Sequence, residues 1–182
     1  MVERLKTIHH DAEGARAVYD TLVAVYAEVY AGEPSEFYGM ARYRQQLDSH
    51  LQASGFELVT GHLDGELVGY VYGFSLSPGT RWWQGMQTPV PDDLLRETGT
   101  RTFAISELMV REPWRRRGVG RLLHDTLLAA RGEERATLLV RPENAAARLY
   151  ARWGWRKIGE LRPGWPDAPL YDALMLTSEP RG

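Results

Sequence analysis

The sequence contains no cysteine among its 182 residues. Disulfides, thiolate metal ligands and a cysteine nucleophile are therefore excluded, and the composition fits a reducing cytoplasm. Long apolar runs are also missing. No stretch approaches the roughly 18 apolar residues of a membrane-spanning helix, so no membrane association is expected. The opening "MVERLKTIHHDAEG" has no apolar core for a signal peptide. Nor is there an excess of positive charge: 22 Lys and Arg face 24 Asp and Glu, giving a net charge of -2. That is not the global basic field of a nucleic-acid binder. The 5 histidines include no H-E-x-x-H or other ligand spacing, so no metal is expected. Internal repeats and low-complexity linkers are absent too. A hydrophobic content of 43% and this length suit one domain with its own core, spanning residues 1–182.

What is present reads as alternating strands and helices. Residues 4–9 suit a first strand. Asp11 can cap a helix carrying Ala15, Val18, Tyr19, Leu22, Val25, Tyr26 and Val29 at helical spacing. A second helix is expected over about residues 35–54. "FELVTGHL" and "ELVGYVYGFSL" flank Asp64–Gly65 as a hairpin. Residues 77–101 hold Pro78, Gly79, Trp82, Trp83, Pro89 and Pro91 without a period, which favours a functional loop. "TFAISELMV" is a strand, residues 118–131 a helix, "ATLLVR" a buried strand and residues 144–153 a helix. "WRKIGEL" and "LYDALML" close the chain. The fold class is α+β.

The stretch "EPWRRRGVGRLLHDTLL" sets Arg115, Arg116 and Arg117 beside Gly118 and Gly120 at the start of a helix. Helix-start N–H groups lack internal partners, and the helix dipole is positive there. Glycines let anion oxygens approach the backbone, and arginines add charge-assisted hydrogen bonds. A Walker loop needs Gly-Lys-Ser/Thr, but Arg121 and Leu122 follow Gly120. A dinucleotide fingerprint fails at Leu123. A solvated basic turn is the plain alternative.

The remaining pattern, R-x-x-G-x-G, resembles the acyl-CoA-binding motif of the GNAT superfamily of N-acetyltransferases. "ENAAARLYARWGW" is similar to that family's later helix through Ala146, Leu149, Tyr150, Gly154 and Trp155. The resemblance is firm over residues 102–157. It implies a mixed central sheet flanked by helices and splayed in the middle, with acetyl-CoA as co-substrate lying in the splay. The pyrophosphate would sit on Arg116, Arg117, Gly118, Val119, Gly120 and Arg121, with Arg115 alongside. Main-chain groups of Leu108, Met109 and Val110 would serve the pantetheine arm and the oxyanion. Tyr150 matches the family's general acid. The family asparagine normally lies seven residues before that tyrosine, where this chain has Glu143. Asn144, one residue late, reaches the pantetheine arm only if the turn shifts.

Acetyl transfer needs a deprotonated amine, donors for the oxyanion and a proton for the leaving sulfur. Without cysteine, direct attack in a ternary complex is expected. Glu107 is the candidate base. It interrupts an apolar strand, where an unpaired carboxylate is costly, and burial would raise its pKa towards neutral. A structural salt bridge to an arginine is the other reading, and the resemblance also allows deprotonation through water. His124 is a weaker candidate, expected on the exposed side of its helix. Tyr150 can equally serve as a packing residue.

The acceptor is expected to be a small-molecule amine. A protein lysine or N-terminus is the alternative within the family. Residues 77–101 and the turn "YAGEPSEFY" would wall its site. Glu33, Glu36, Asp92 and Asp93 would attract a cation, with Trp82 and Trp83 stacking on it. The same loop also suits a homodimer contact. Outside the family stand a non-catalytic acyl-CoA sensor and a nucleic-acid binder.

Overall fold

The computed structural model describes residues 4–33 and 38–178. Seven strands form one mixed sheet: β1 (Lys6–His10), β2 (Glu57–Leu63), β3 (Glu66–Ser75), β4 (Thr102–Val110), β5 (Arg135–Val140), β6 (Arg156–Leu161) and β7 (Tyr171–Thr177). Their order is β1-β2-β3-β4-β5-β7-β6. Among the described residues, five α-helices accompany them: α1 (Ala12–Ala17), α2 (Tyr19–Val29), α3 (Met40–Leu51), α4 (Val119–Ala129) and α5 (Ala146–Arg152). The described residues fall into two compact units. One runs up to Phe74 and adds Ser106–Arg131; the other joins Ser75–Ile105 to the residues from Gly132 onward.

In the first unit, β1, β2 and β3 make an antiparallel ladder. The Asp64–Gly65 turn has positive φ at both residues, as a tight hairpin demands. Asp11 Oδ1 caps α1 by accepting from Gly14 N at 2.8 Å. The single helix expected after Asp11 is two. Val18, at φ -110° and ψ 11°, ends α1 and opens α2. The apolar spacing continues through the kink because Ala15 and Leu22 are both fully buried in one core. Periodicity alone therefore hides the break. The second helix begins at Met40, and residues 35–37 of the expected span lie outside the described residues.

That core joins Leu22 and Tyr26 of α2 to Tyr43 and Leu47 of α3, Leu58 of β2, Tyr70 and Tyr72 of β3 and Met109 of β4. Tyr43, Tyr70 and Tyr72 satisfy their hydroxyls internally, as buried polar groups must. The Tyr43 and Tyr70 hydroxyls lie 2.7 Å apart, and Tyr70 donates to Leu22 O at 3.1 Å. α4 lies against β2 and β3, where Gly61 and Gly69 leave room for Leu123.

In the second unit, β5 pairs with β7 along its whole length and β7 pairs with β6, all antiparallel. The start of β4 pairs with β5 in parallel over three positions, Thr102–Arg135, Phe103–Ala136 and Ala104–Thr137. β4 itself continues to Val110 and β5 to Val140. Residues 77–101 are firmly held. Trp83 Nε1 and Arg135 Nη2 each donate to Glu97 Oε1 at 2.9 Å, and Arg135 Nε donates to Thr102 Oγ1 at 2.8 Å. Gln87 N donates to Glu160 O at 2.8 Å, tying the segment to the β6 edge.

Candidate functional site

The arginine–glycine turn is built on a fixed anchor. Arg111, directly after β4, donates through Nε to both Glu28 oxygens at 3.0 Å and through Nη1 to Glu66 at 2.6 Å. Its guanidinium lies 5.0 Å from the Trp114 ring centroid. A short 3-10 helix, Glu112–Trp114, leads into the turn. Arg115 Nε then folds back to donate to Val110 O at 2.8 Å. Arg116 takes a left-handed backbone at φ 58° and Gly118 another at φ 82°. These reversals deliver the chain into α4 with no side chain capping its first amides. Such amides are the donors that an anion meets at a helix start.

Gly118 and Gly120 serve different ends. The positive φ of Gly118 disfavours any residue with a Cβ. Gly120 has no such conformation, and a Cβ there would meet only Val110 Cγ2 at 3.6 Å, an ordinary contact. The fold does not require glycine at 120, whereas close approach of a ligand to the α4 backbone does. Arg115, Arg116 and Arg117 are exposed around it. Arg121 pairs with Asp125 at 2.6 Å.

β4 carries the other half of the arrangement in this unit. A Cβ on Gly69 would lie 2.5 Å from Met109 O, so glycine lets β4 sit where it does. Met109 is buried, while Leu108 and Val110 keep part of their surface open. Glu107 is also partly open to solvent. Even so, burial pushes its carboxyl up to about 7, against a downward pull from Gln46. Gln46 Nε2 donates to Glu107 Oε1 at 3.3 Å. The ion pair with an arginine does not form among the described residues. The same amide nitrogen lies 3.4 Å from Ser106 Oγ. Ser106 Oγ in turn lies 3.2 Å from His50 Nδ1, which is 3.1 Å from Tyr72 OH. Burial brings His50 down to about 4, so it stays neutral near pH 7. Sequence reasoning missed Gln46 and His50. Their signal is legible: both fall on the buried stripe of α3 defined by Tyr43, Leu47 and Leu51.

The other expected residues lie on other elements. His124 is buried rather than exposed, because the apolar stripe of α4 is wide enough to cover the position between Leu123 and Leu127. Its Nδ1 lies 2.8 Å from Asp125 Oδ1, and burial lowers its pKa. In the second unit, Asn144 Oδ1 accepts from Ala146 N at 2.9 Å and organises the first turn of α5. Glu143 pairs with Arg141. Tyr150 is buried on α5, edge-on to Trp153 at 5.5 Å and to Trp155 at 6.0 Å. Trp83 is buried against Glu97 and so does not stack on a surface cation. Trp82 is half-buried, while Glu33, Asp92 and Asp93 are exposed. Asp93 pairs with Arg96 at 2.5 Å. Glu36 lies outside the described residues.

Among curated protein sequences, none matches the chain significantly. Solved structures do match in fold. An aminoglycoside 6'-N-acetyltransferase complexed with coenzyme A aligns with a TM-score of 0.64 and 14% identity, covering 97% of this chain and 99% of that one. A GNAT family acetyltransferase from Elizabethkingia anophelis with acetyl-CoA bound aligns with a TM-score of 0.61, 16% identity and coverage of 97% and 99%. The ribosomal-protein-S18-alanine N-acetyltransferase from Escherichia coli gives 0.62, 16% identity and coverage of 98% and 96%. At these identities the likeness concerns the fold. Residues 16–155 match the profile of the acetyltransferase (GNAT) family. That span is most of the chain, and it contains the turn, β4 and α5 described above. The chain belongs to the GNAT acetyltransferase family, and it is an acyltransferase that uses acetyl-CoA as co-substrate.

Proposed function

We propose that the enzyme moves the acetyl group of acetyl-CoA to a small-molecule primary amine by direct attack. The observation that carries this reading is Gly120, a glycine in the first turn of α4 for which the fold has no need. In the proposal, the pyrophosphate sits on the amides of residues 116–121, with Arg116 and Arg117 adding charge. Main-chain groups of Leu108, Met109 and Val110 hold the pantetheine arm and the oxyanion. Glu107, held near neutrality by burial, takes the proton from the acceptor ammonium, directly or through water. The free nitrogen attacks the thioester carbon. The C–S bond then breaks, and the Tyr150 hydroxyl gives its proton to the departing sulfur. The products are an N-acetyl amine and CoA. A partly enclosed carboxylate favours a slim primary amine. Residues 77–101 are the segment proposed to select it, and the cytoplasm is the proposed location.

The test is release of free CoA, followed with a thiol reagent, over a panel of spermidine, kanamycin, Nα-acetyl-lysine and an alanine-initiated peptide. Turnover with a small amine is expected. Turnover with the peptide alone would replace that acceptor with a protein N-terminus. Acetyl-CoA binding without turnover across a wide amine library would make the chain a sensor. Tyr150→Phe keeps the ring and removes the proton. It should lower kcat by about 10²-fold, the low end for a general acid, with acetyl-CoA affinity kept. A fully active variant, measured where chemistry limits the rate, would leave water as the proton source.

A further inference from the structure

α3 places two polar side chains on its buried stripe. Helices bury such groups only when they are bonded, and both here are bonded towards β4. Gln46 Nε2 reaches Glu107 Oε1 at 3.3 Å and Ser106 Oγ at 3.4 Å. Ser106 and Glu107 are consecutive, yet both meet the same amide. His50 Nδ1 then links Ser106 Oγ at 3.2 Å to Tyr72 OH at 3.1 Å. The chain of contacts thus runs from a fully buried tyrosine on β3 through α3 to the carboxylate on β4.

We infer that Gln46 is a positioning residue for Glu107: its amide donates to the carboxylate and fixes the orientation and charge state needed for amine deprotonation. The inference rests on the reading of Glu107 as the base. An amide N–H can donate to a carboxylate but cannot take its proton. It therefore favours the ionised form, against burial, which favours the neutral one. Among the described residues, the titratable groups that interact with Glu107 are Tyr43 from α3 and Tyr70 and Tyr72 from β3, and His50 of α3 is joined to it through Ser106. Burial raises the tyrosines and lowers the histidine, so all four are neutral near pH 7. Among the described residues, the carboxylate is governed by burial and by Gln46.

Gln46→Met keeps the length of the side chain and removes the donor. The first readout needs no substrate: a carbon-13 NMR titration of the Glu107 carboxyl, assigned by its loss in Glu107→Gln. The midpoint is expected to move above its wild-type value. The second readout is the pH profile of kcat/KM with the best small amine of the panel. Its acidic limb should move to higher pH by the same interval. The expected result is a several-fold loss at pH 6, little loss on the alkaline plateau and unchanged acetyl-CoA affinity. A merely structural role would lower the whole profile without moving the limb. If Gln46→Met does not fold, Gln46→Glu, nearly the same shape, should raise the midpoint by like-charge repulsion. A midpoint that stays put in a folded variant overturns the role of Gln46, even where Glu107→Gln abolishes the limb. A midpoint that moves while the limb does not overturns Glu107 as the base, and the positioning role falls with it.

Discussion

At the scale of single residues, the roles proposed for Glu107 and Gly120 imply stability effects that can be measured apart from activity. Burial raises the Glu107 carboxyl from an ordinary 4.5 to about 7, so the folded state prefers it protonated. That preference adds stability below the unfolded-state pKa, and it is lost as pH rises from 4.5 through 7. Above pH 7 the fold carries a disfavoured charge worth about 3 kcal/mol. Glu107→Gln, neutral at every pH, should therefore match the wild type near pH 4 and melt several degrees higher near pH 8, while losing activity. Calorimetric scans at the two pH values check the sign; a variant less stable at pH 8 would show the ionised carboxylate to be favoured by the fold. Gly120 gives the complementary case. Gly120→Ala removes backbone freedom in a helix and should raise stability by up to about 0.5–1 kcal/mol. The added methyl should still weaken acetyl-CoA, and Gly120→Val should weaken it further. Unchanged affinity by titration calorimetry, in a folded Gly120→Val protein, would remove the pyrophosphate from this turn.

At the scale of elements, the sequence was legible where a pattern is local. β4 matches "TFAISELMV" residue for residue, and the arginine–glycine turn is where its spacing put it. The Val18 kink was not legible, since a one-residue break leaves the apolar period intact. The Gln46–Glu107 contact spans 61 positions, and no local pattern encodes such a pairing. Residues 77–101 meet the same limit. Their lack of period suggests a functional loop and gives no sign that Glu97 is clamped by Trp83 from within the segment and by Arg135, 38 positions away. Both members of the ion pair are almost wholly buried. Glu97→Ala would strand the Arg135 charge and should cost about 3–5 kcal/mol. The double change Glu97→Leu with Arg135→Met should cost far less, because no buried charge remains. Thermal unfolding of the two proteins tests the clamp. If the segment selects the acceptor, the double variant should change the order of preferred amines while keeping its acetyl-CoA affinity.

At the scale of the whole molecule, the net charge of -2 gives no long-range pull on a polyanion. In the proposed site, attraction for a CoA-like ligand comes from the short basic segment at residues 115–117, acting over a few ångströms on top of the α4 amides. Salt discriminates between these two sources. Exposed charges are screened over about 10 Å at 0.1 M salt and over about 3 Å at 1 M, whereas direct amide–phosphate hydrogen bonds respond less. Acetyl-CoA affinity should fall several-fold between low and high salt and then level off at the amide contribution. The double variant Arg116→Gln with Arg117→Gln should start weaker and show a flatter salt dependence, converging with the wild type at high salt. Arg115 is a poorer choice for this test, because its Nε is bonded to Val110 O and its loss would disturb the turn. Parallel gel shifts with duplex DNA should show no binding near physiological salt, since one short basic segment neutralises too few phosphates to hold a duplex. An acetyl-CoA affinity that ignores salt in the wild type would take both arginines out of the cofactor site. A salt-dependent DNA shift lost in the double variant would give them to a nucleic acid instead.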